Sequence, residues 1–411
     1  MPIRAPHGAV SLEKNMNLMS RMRVALAAAL MLLLAACGGG GGGSGDSGSG
    51  TLRVALTDNP ACGYDEVVVT VNEVRVHTAD APDSDPGWRS IPVNPPLTVD
   101  LLDLTNGTLL DLGQTLVPAG TYTQLRLVLA ANTGTLADRN WIVLSSAPGV
   151  KVPLKTPSGQ PSGLKVQTSL AVQANGLTDV VIDFDACKSV VMAGNSGQYL
   201  LKPVLRTLPR VETGVIGELS IATATAGASV SLQQGGEVRR ATVADANGLF
   251  KLQPVEPGEY TLVVTAPGYA TAAVRQVLVS SGQLVRALPA GQRIDPPASG
   301  TAIFAGQVSI TPVPAEIDAS VAVRQKLSAG DTITLVDRPV NAITGEYAHT
   351  GLAVDAPIVA QHAAGGALSF SADNGAAGNF TVRATTGGAS KTADHLGVSD
   401  SDTVDQDFVF P

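Results

Sequence analysis

The chain has 411 residues, 44% of them hydrophobic and 4% aromatic, with a formal charge of −8. That length allows roughly two to four domains with modest cores, and 44 glycines and 26 prolines point to many turns. An acidic balance, with no basic stripe interleaved with aromatics, repels phosphate backbones and excludes nucleic acid as an expected partner.

At the N-terminus Arg21 and Arg23 precede a mostly apolar run, Val24 to Ala36, which is too short to span a bilayer as a helix. Basic, then apolar, then small residues read as a secretory signal peptide. The run ends in Leu34-Ala35-Ala36-Cys37, which resembles the bacterial lipobox. The resemblance implies removal of residues 1–36, with acyl chains such as palmitate on Cys37. Gly38, rather than an aspartate, follows the cysteine, which implies an outer-membrane address in a Gram-negative cell. Membrane lipid is then the first expected partner, because several acyl chains hold a protein on a membrane almost permanently. An ordinary secretory signal that ends near a cysteine is the alternative, and Met16, Met19 or Met22 is the expected true start. Removing residues 1–36 takes away four basic side chains (Arg4, Lys14, Arg21, Arg23) and one acidic one (Glu13), leaving −11. Residues 37–50 are the lipidated cysteine and a glycine–serine tether charged only at Asp46, with a reach of about 20 Å.

Cys62 and Cys187 remain, and an oxidising compartment favours their pairing. Closing that loop contributes on the order of 4 to 5 kcal/mol in the chain-entropy model. Two buried free thiols are the alternative. No metal site is expected, since neither cysteine has a second cysteine or a histidine at ligand spacing.

Heptads and long amphipathic stretches are absent, and valine, threonine and leucine fill the segments between turns, so the expected fold class is all-β, with β-sandwich modules in series after the signal peptide and tether. The first unit, 51–210, shows strands at Leu52 to Leu56, Glu66 to His77, Leu97 to Leu102, Tyr122 to Ala130, Trp141 to Leu144 and Asp179 to Phe184. Turn signals at Asn106-Gly107 and Pro118-Ala119-Gly120 separate them. VVVTVNEVRVH (67–77), VDLLDLTNG (99–107), PAGTYTQLRL (118–127), VIDFDACK (181–188) and YLLKPVLR (199–206) together resemble the family catalogued as domain of unknown function 4382, found mostly in bacterial envelope lipoproteins. That family carries no established activity, so the resemblance implies location and fold and transfers no catalytic residue.

In the second unit, 214–290, Ala246-Asn247-Gly248-Leu249-Phe250 and Pro257-Gly258-Glu259-Tyr260 resemble the carboxypeptidase regulatory-like domain, a transthyretin-like sandwich. The resemblance implies a glycine-turned hairpin before the aromatic, an inward tyrosine at 260 and no hydrolysis. Stalk-repeat relatives form lysine–asparagine isopeptide bonds, but Lys251 alone offers little for that chemistry. After a linker at 296–300, residues 301–411 read as a third β unit whose Gly306-to-Ile310 and Asp373-to-Ala384 stretches loosely echo the second, as a divergent copy would.

Catalytic motifs fail. His7, His77, His349, His362 and His395 show no zinc-peptidase spacing, and the glycine–serine matches to nucleophile motifs lack the flanking strand and helix. Asp183 and Asp185 alternate around Phe184, so a continued strand would place both carboxylates on one face, roughly 6.6 Å apart. That borders the range of about 6.5 to 9.5 Å used by inverting glycosidases, but few aromatics are present to grip a sugar, and a structural role or metal contact is the commoner fate. Asp394, Asp400, Asp402, Asp405 and Asp407 read as a hydrated acidic loop without the calcium-loop spacing. Phe408 and Phe410 share a face, as in a last core strand. Trp141 reads as core, and Trp88, between Pro82 and Pro92, as a residue as easily exposed as buried. The candidate ligand contacts are therefore Trp88, Asp183 and Asp185. No cofactor and no catalytic residue are expected. The expected function is a non-catalytic structural or ligand-binding role for an envelope protein, with an unknown envelope protein or glycan as partner. A surface adhesin or glycan-binding protein is the alternative, and an enzyme with an unrecognised site the third reading.

Overall fold

The computed structural model describes residues 48–58, 63–157 and 162–411. The signal peptide, Cys37, most of the tether and Cys62 lie outside the described residues. What is described is almost entirely β, in sandwich modules placed in series.

In the first module, a four-stranded sheet built on Ser49–Asp58 and Leu177–Phe184 and a larger sheet built on Tyr64–His77 share one core. The spacing of buried valines in Tyr64–His77 dictates a local irregularity. Val67, Val69 and Val71 are in odd register, Val74 and Val76 in even, and one face can bury both sets only if a residue is inserted. The pairing shifts between Val71 and Glu73, a β-bulge that re-aims the chain. The strand expected at Leu97 to Leu102 begins earlier, at Arg89, and stops at Asp100. There Asp100 Oδ1 accepts from Val67 N (3.0 Å) and Leu102 N (3.1 Å), capping the 3₁₀ turn Leu101–Leu104.

The second module sets a three-stranded sheet (Gly214–Glu218, Leu249–Leu252, Leu284–Arg286) against a six-stranded one. The Asn247-Gly248 hairpin requires its glycine twice over: φ is +84°, and a Cβ would meet Leu219 O at 2.2 Å. Phe250 then packs across Gly217, where a Cβ would stand 2.4 Å from the ring. Tyr260 points inward and donates to Glu256 O at 2.8 Å.

The third module is a sandwich of two four-stranded sheets. Phe408 and Phe410 are buried in its core while Val409 between them is exposed. Its expected boundaries need correction. Residues 301–411 do not stand apart, because Ile358–Gln361 crosses over and pairs in parallel with Tyr269–Val279, and Ser371–Ala372 extends the same sheet. Ala360 and Leu368 join the second core. An uncovered Tyr269–Val279 edge would present unpaired backbone groups, and the crossing strand removes that liability.

Candidate functional site at the module junctions

Asp183 is not an open ligand contact. It closes the Leu177–Phe184 strand at 2% exposure, and both of its oxygens are taken. Oδ2 accepts from Arg206 Nε at 2.6 Å, and Oδ1 accepts from Nη1 of Arg240, which belongs to the second module. Arg240 is 1% exposed, and its Nη2 donates to Thr57 Oγ1 (2.9 Å) and the Asp58 carbonyl (3.3 Å) of the first module. A guanidinium from one module is thus sunk into the carboxylate and backbone of another. In this low-dielectric setting each partner makes the other's burial tolerable.

Asp185 also departs from the expected same-face pair. The strand ends at Phe184, and Asp185 turns away with φ −97° and ψ 87° to cap the short helix Ala186–Ser189, its Oδ1 accepting from Lys188 N at 3.1 Å. Burial pushes its carboxyl above the usual range against the opposing pull of Lys188. The alternation argument fails because its premise, a strand continuing through 185, does not hold.

Trp88 is half-buried. Its Nε1 donates to Pro82 O at 2.9 Å, the buried Arg126 guanidinium lies 4.2 Å from the ring centre, and the His77 ring is 5.1 Å away. One ring face is therefore committed within the protein. Trp141 is half-buried rather than core, with Nε1 donating to Glu66 Oε2 (2.8 Å) and Lys151 Nζ 3.8 Å over its ring. The C-terminal aspartates serve as local acceptors: Asp400 for Thr301 N (2.7 Å), Asp402 for Ser399 N (2.7 Å), Asp407 for Gln307 N (2.8 Å). Among the described residues no group of three or more histidine, cysteine or acidic side chains is placed to hold a metal ion.

What sequence reasoning missed lies between modules. The Asn106 turn inserts into the second module, its backbone N–H donating to Thr242 Oγ1 at 2.7 Å and its Oδ1 accepting from Lys251 N. Gln233 reads the third module's backbone as a strand would, its Nε2 donating to Thr334 O (2.8 Å) and its Oε1 accepting from Thr334 N (2.7 Å). Lys188 of the first module pairs with Asp337 of the third at 2.5 Å, and Gly194 N donates to Asn341 Oδ1 at 2.9 Å. Cys187, beside Lys188, is engaged rather than free.

Where the modules meet there is a cavity of about 230 Å³. Asp185 and Lys188 of the first module, Thr271 of the second, and Asp337, Arg338 and His349 of the third line it. Burial draws the Lys188 ammonium down, but Asp337 and Asp185 outweigh it and leave it above its ordinary value. Burial pulls Arg338 below its ordinary value. His349 is 3% exposed; its Nε2 bonds the Val321 carbonyl at 2.9 Å, and burial lowers its pKa to about 4, so the ring is neutral near pH 7 with the proton on Nε2.

Residues 49–203 match the family model described as domain of unknown function DUF4382, and residues 215–288 match that of the carboxypeptidase regulatory-like domain, in the order expected from the sequence. No curated protein matches the chain. Similar solved structures include the Bacillus anthracis TIE protein (12% identity, 88% of this chain and 50% of that one, TM-score 0.18). A streptococcal ancillary pilin (10%, 87% and 98%, TM-score 0.16) and BcpA, the major pilin subunit of Bacillus cereus (10%, 88% and 99%, TM-score 0.16), are also similar. The chain spans half the length of the first of these. At such TM-scores the likeness carries no functional argument.

Proposed function

We propose that this protein is a non-catalytic cell-envelope component, lipid-anchored through Cys37 to the outer membrane, whose three modules act as one integrated structural body. The observation that carries the reading is the Asp183–Arg240 contact, in which a fully buried charge of one module is completed only by another. The crossing strand Ile358–Gln361 and the Gln233–Thr334 backbone bonds support it, since independently mobile modules would share neither sheets nor buried hydrogen bonds. The same reading makes Cys62 the partner of Cys187, tying the start of the first module to its end.

Two measurements test this. Replacing Cys37 with serine should move the protein from the membrane fraction to a soluble or unprocessed form, and unchanged membrane retention would remove the anchor. Non-reducing peptide mapping should recover residues 62 and 187 in one linked peptide; recovery of both as free thiols would remove the tie.

A further inference from the structure

The chain enters the first module at a fixed point. Gly48 O accepts from Ala119 N at 2.8 Å, Ser49 O accepts from Asn175 N at 2.9 Å, and Thr51 N donates to Gly176 O at 2.8 Å, so residues 48–51 are clamped between two turns. Gly50 leaves no slack there, since a Cβ would meet Gln173 O at 2.2 Å. Beside this entry Thr51 pairs with Leu116 on one side and with Leu177 on the other. Residues paired across strands project to the same face. With Leu52 and Val54 turned into the core, the two leucines flank Thr51 on the outer face of the four-stranded sheet, about 10 Å apart by strand spacing. Both are exposed, Leu116 by 69% and Leu177 by 57%, whereas the next row on that face is the half-buried Arg53–Asp179 pair, with Nε donating to Oδ2 at 2.9 Å. Charge is absent around them: residues 48–52, 115–123 and 168–178 hold no Asp, Glu, Lys, Arg or His, in a chain of which 15% is charged. This end of the module can therefore meet an apolar surface without stripping water from an ion.

We propose that this end of the first module rests on the lipid surface, with Leu116 and Leu177 set into the boundary between headgroups and acyl chains. The inference rests on the reading of Cys37 as the lipid anchor, and position then selects the occupant. Residues 38–47 alone separate the anchor from Gly48, a reach of about 20 Å, so the leucines on either side of the entry are held within that distance of the bilayer. So short a tether makes the lipid contact intramolecular, at an effective concentration on the order of millimolar. Two leucines too weak to bind vesicles from free solution suffice under that condition. A second copy or a protein partner has no such delivery to the patch. On an acidic chain the missing charge matters too, because a neutral contact face approaches lipid through apolar burial alone, without repulsion from anionic headgroups.

The experiment takes the chain from residue 38 onward, with a polyhistidine tag in place of Cys37, and captures it on phosphatidylcholine vesicles that carry a nickel-chelating lipid. It thus reads the patch whatever the cell does to Cys37. Gln173→Cys, exposed beside the entry, carries an environment-sensitive nitrobenzoxadiazole dye and leaves both leucines in place. Val313→Cys, at a position 83% exposed on the third module, carries the control dye, and dye-treated protein without either substitution supplies the background. On capture, emission from 173 should shift to the blue and be quenched by doxyl-labelled lipid several-fold more than emission from 313, with no change at high salt because no charge takes part. Leu116→Ser combined with Leu177→Ser should abolish that difference without moving the unfolding midpoint, since both side chains are already exposed. Equal quenching at the two positions, no quenching at 173, or quenching that survives the double substitution would overturn the proposal. So would a blue shift at 173 that appears without vesicles and grows with protein concentration, which would assign the patch to a second copy. The comparison of 173 with 313 keeps both leucines, so it decides even where the double variant fails to fold. Absence of lipid contact here, with Cys37→Ser still releasing the protein from cell membranes, would strike the patch and leave the anchor standing.

Discussion

At the joint between the first and second modules, Asp183 gives both of its oxygens to arginines, one from each module, and Arg240 also holds Thr57 and the Asp58 carbonyl. At the three-module cavity, half-buried Arg338 and buried His349 each keep one sealed nitrogen, Nε and Nδ1, without a partner among the described residues. Both regions place polar groups between modules, yet one network is completed and the other leaves a donor and an acceptor unpaired among the described residues. The difference separates a joint from a pocket: a sealed polar network specifies how parts assemble, whereas an incomplete one beside empty volume has room for something else.

The comparison breaks most visibly at Asp183. Asp183→Ala leaves Arg206 and Arg240 without their shared carboxylate and should cost about 3 to 5 kcal/mol in urea unfolding; a loss under about 1 kcal/mol would mean that the joint is ornamental. The pH response of the cavity comes next. His349 has a folded pKa of about 4 against an ordinary 6.5, so between these values the unfolded chain binds more protons. Stability therefore falls as pH drops from about 6.5 toward 4, by on the order of 3 kcal/mol, and levels off below that. His349→Gln should flatten that part of the profile, and an unchanged slope would assign it to other groups. Gln233→Ala removes two buried bonds to the Thr334 backbone, and denaturant midpoints should report about 1 to 3 kcal/mol. Trp88→Ala is expected to be mildest, about 1 to 2 kcal/mol from lost stacking on Arg126 and lost burial. It should leave retention on glycan arrays unchanged; a selective loss of glycan retention would revive the adhesin reading.

These elements also mark what was legible in the chain. The valines from Val67 to Val76 carry strand and bulge together, because a change of parity on one buried face has few structural solutions. Gly248 and Tyr260 announce their hairpin and strand locally. Asp183 and Arg240 do not, since 57 residues separate them and neither has a local pattern that marks it as buried. Asp185 misled because alternation assumes a continuing strand, and a capping aspartate is just where a strand ends. The four residues Ile358–Gln361 read equally well as an edge of the third module, and only the open Tyr269–Val279 edge decides where they pair. Arg338 and His349 are ordinary residue types whose meaning comes from what fails to surround them.

The central claim is that the modules form one body, and truncation addresses it most directly. A protein ending at Ala298 keeps the matched regions 49–203 and 215–288 but lacks the crossing strand, Asp337 and the Thr334 backbone. We expect it to be protease-sensitive and prone to associate through the bared Tyr269–Val279 edge, with its unfolding midpoint well below that of the full chain. A truncated protein that is monomeric, protease-resistant and unfolds at the full chain's midpoint would show the modules to be independent and would contradict the account.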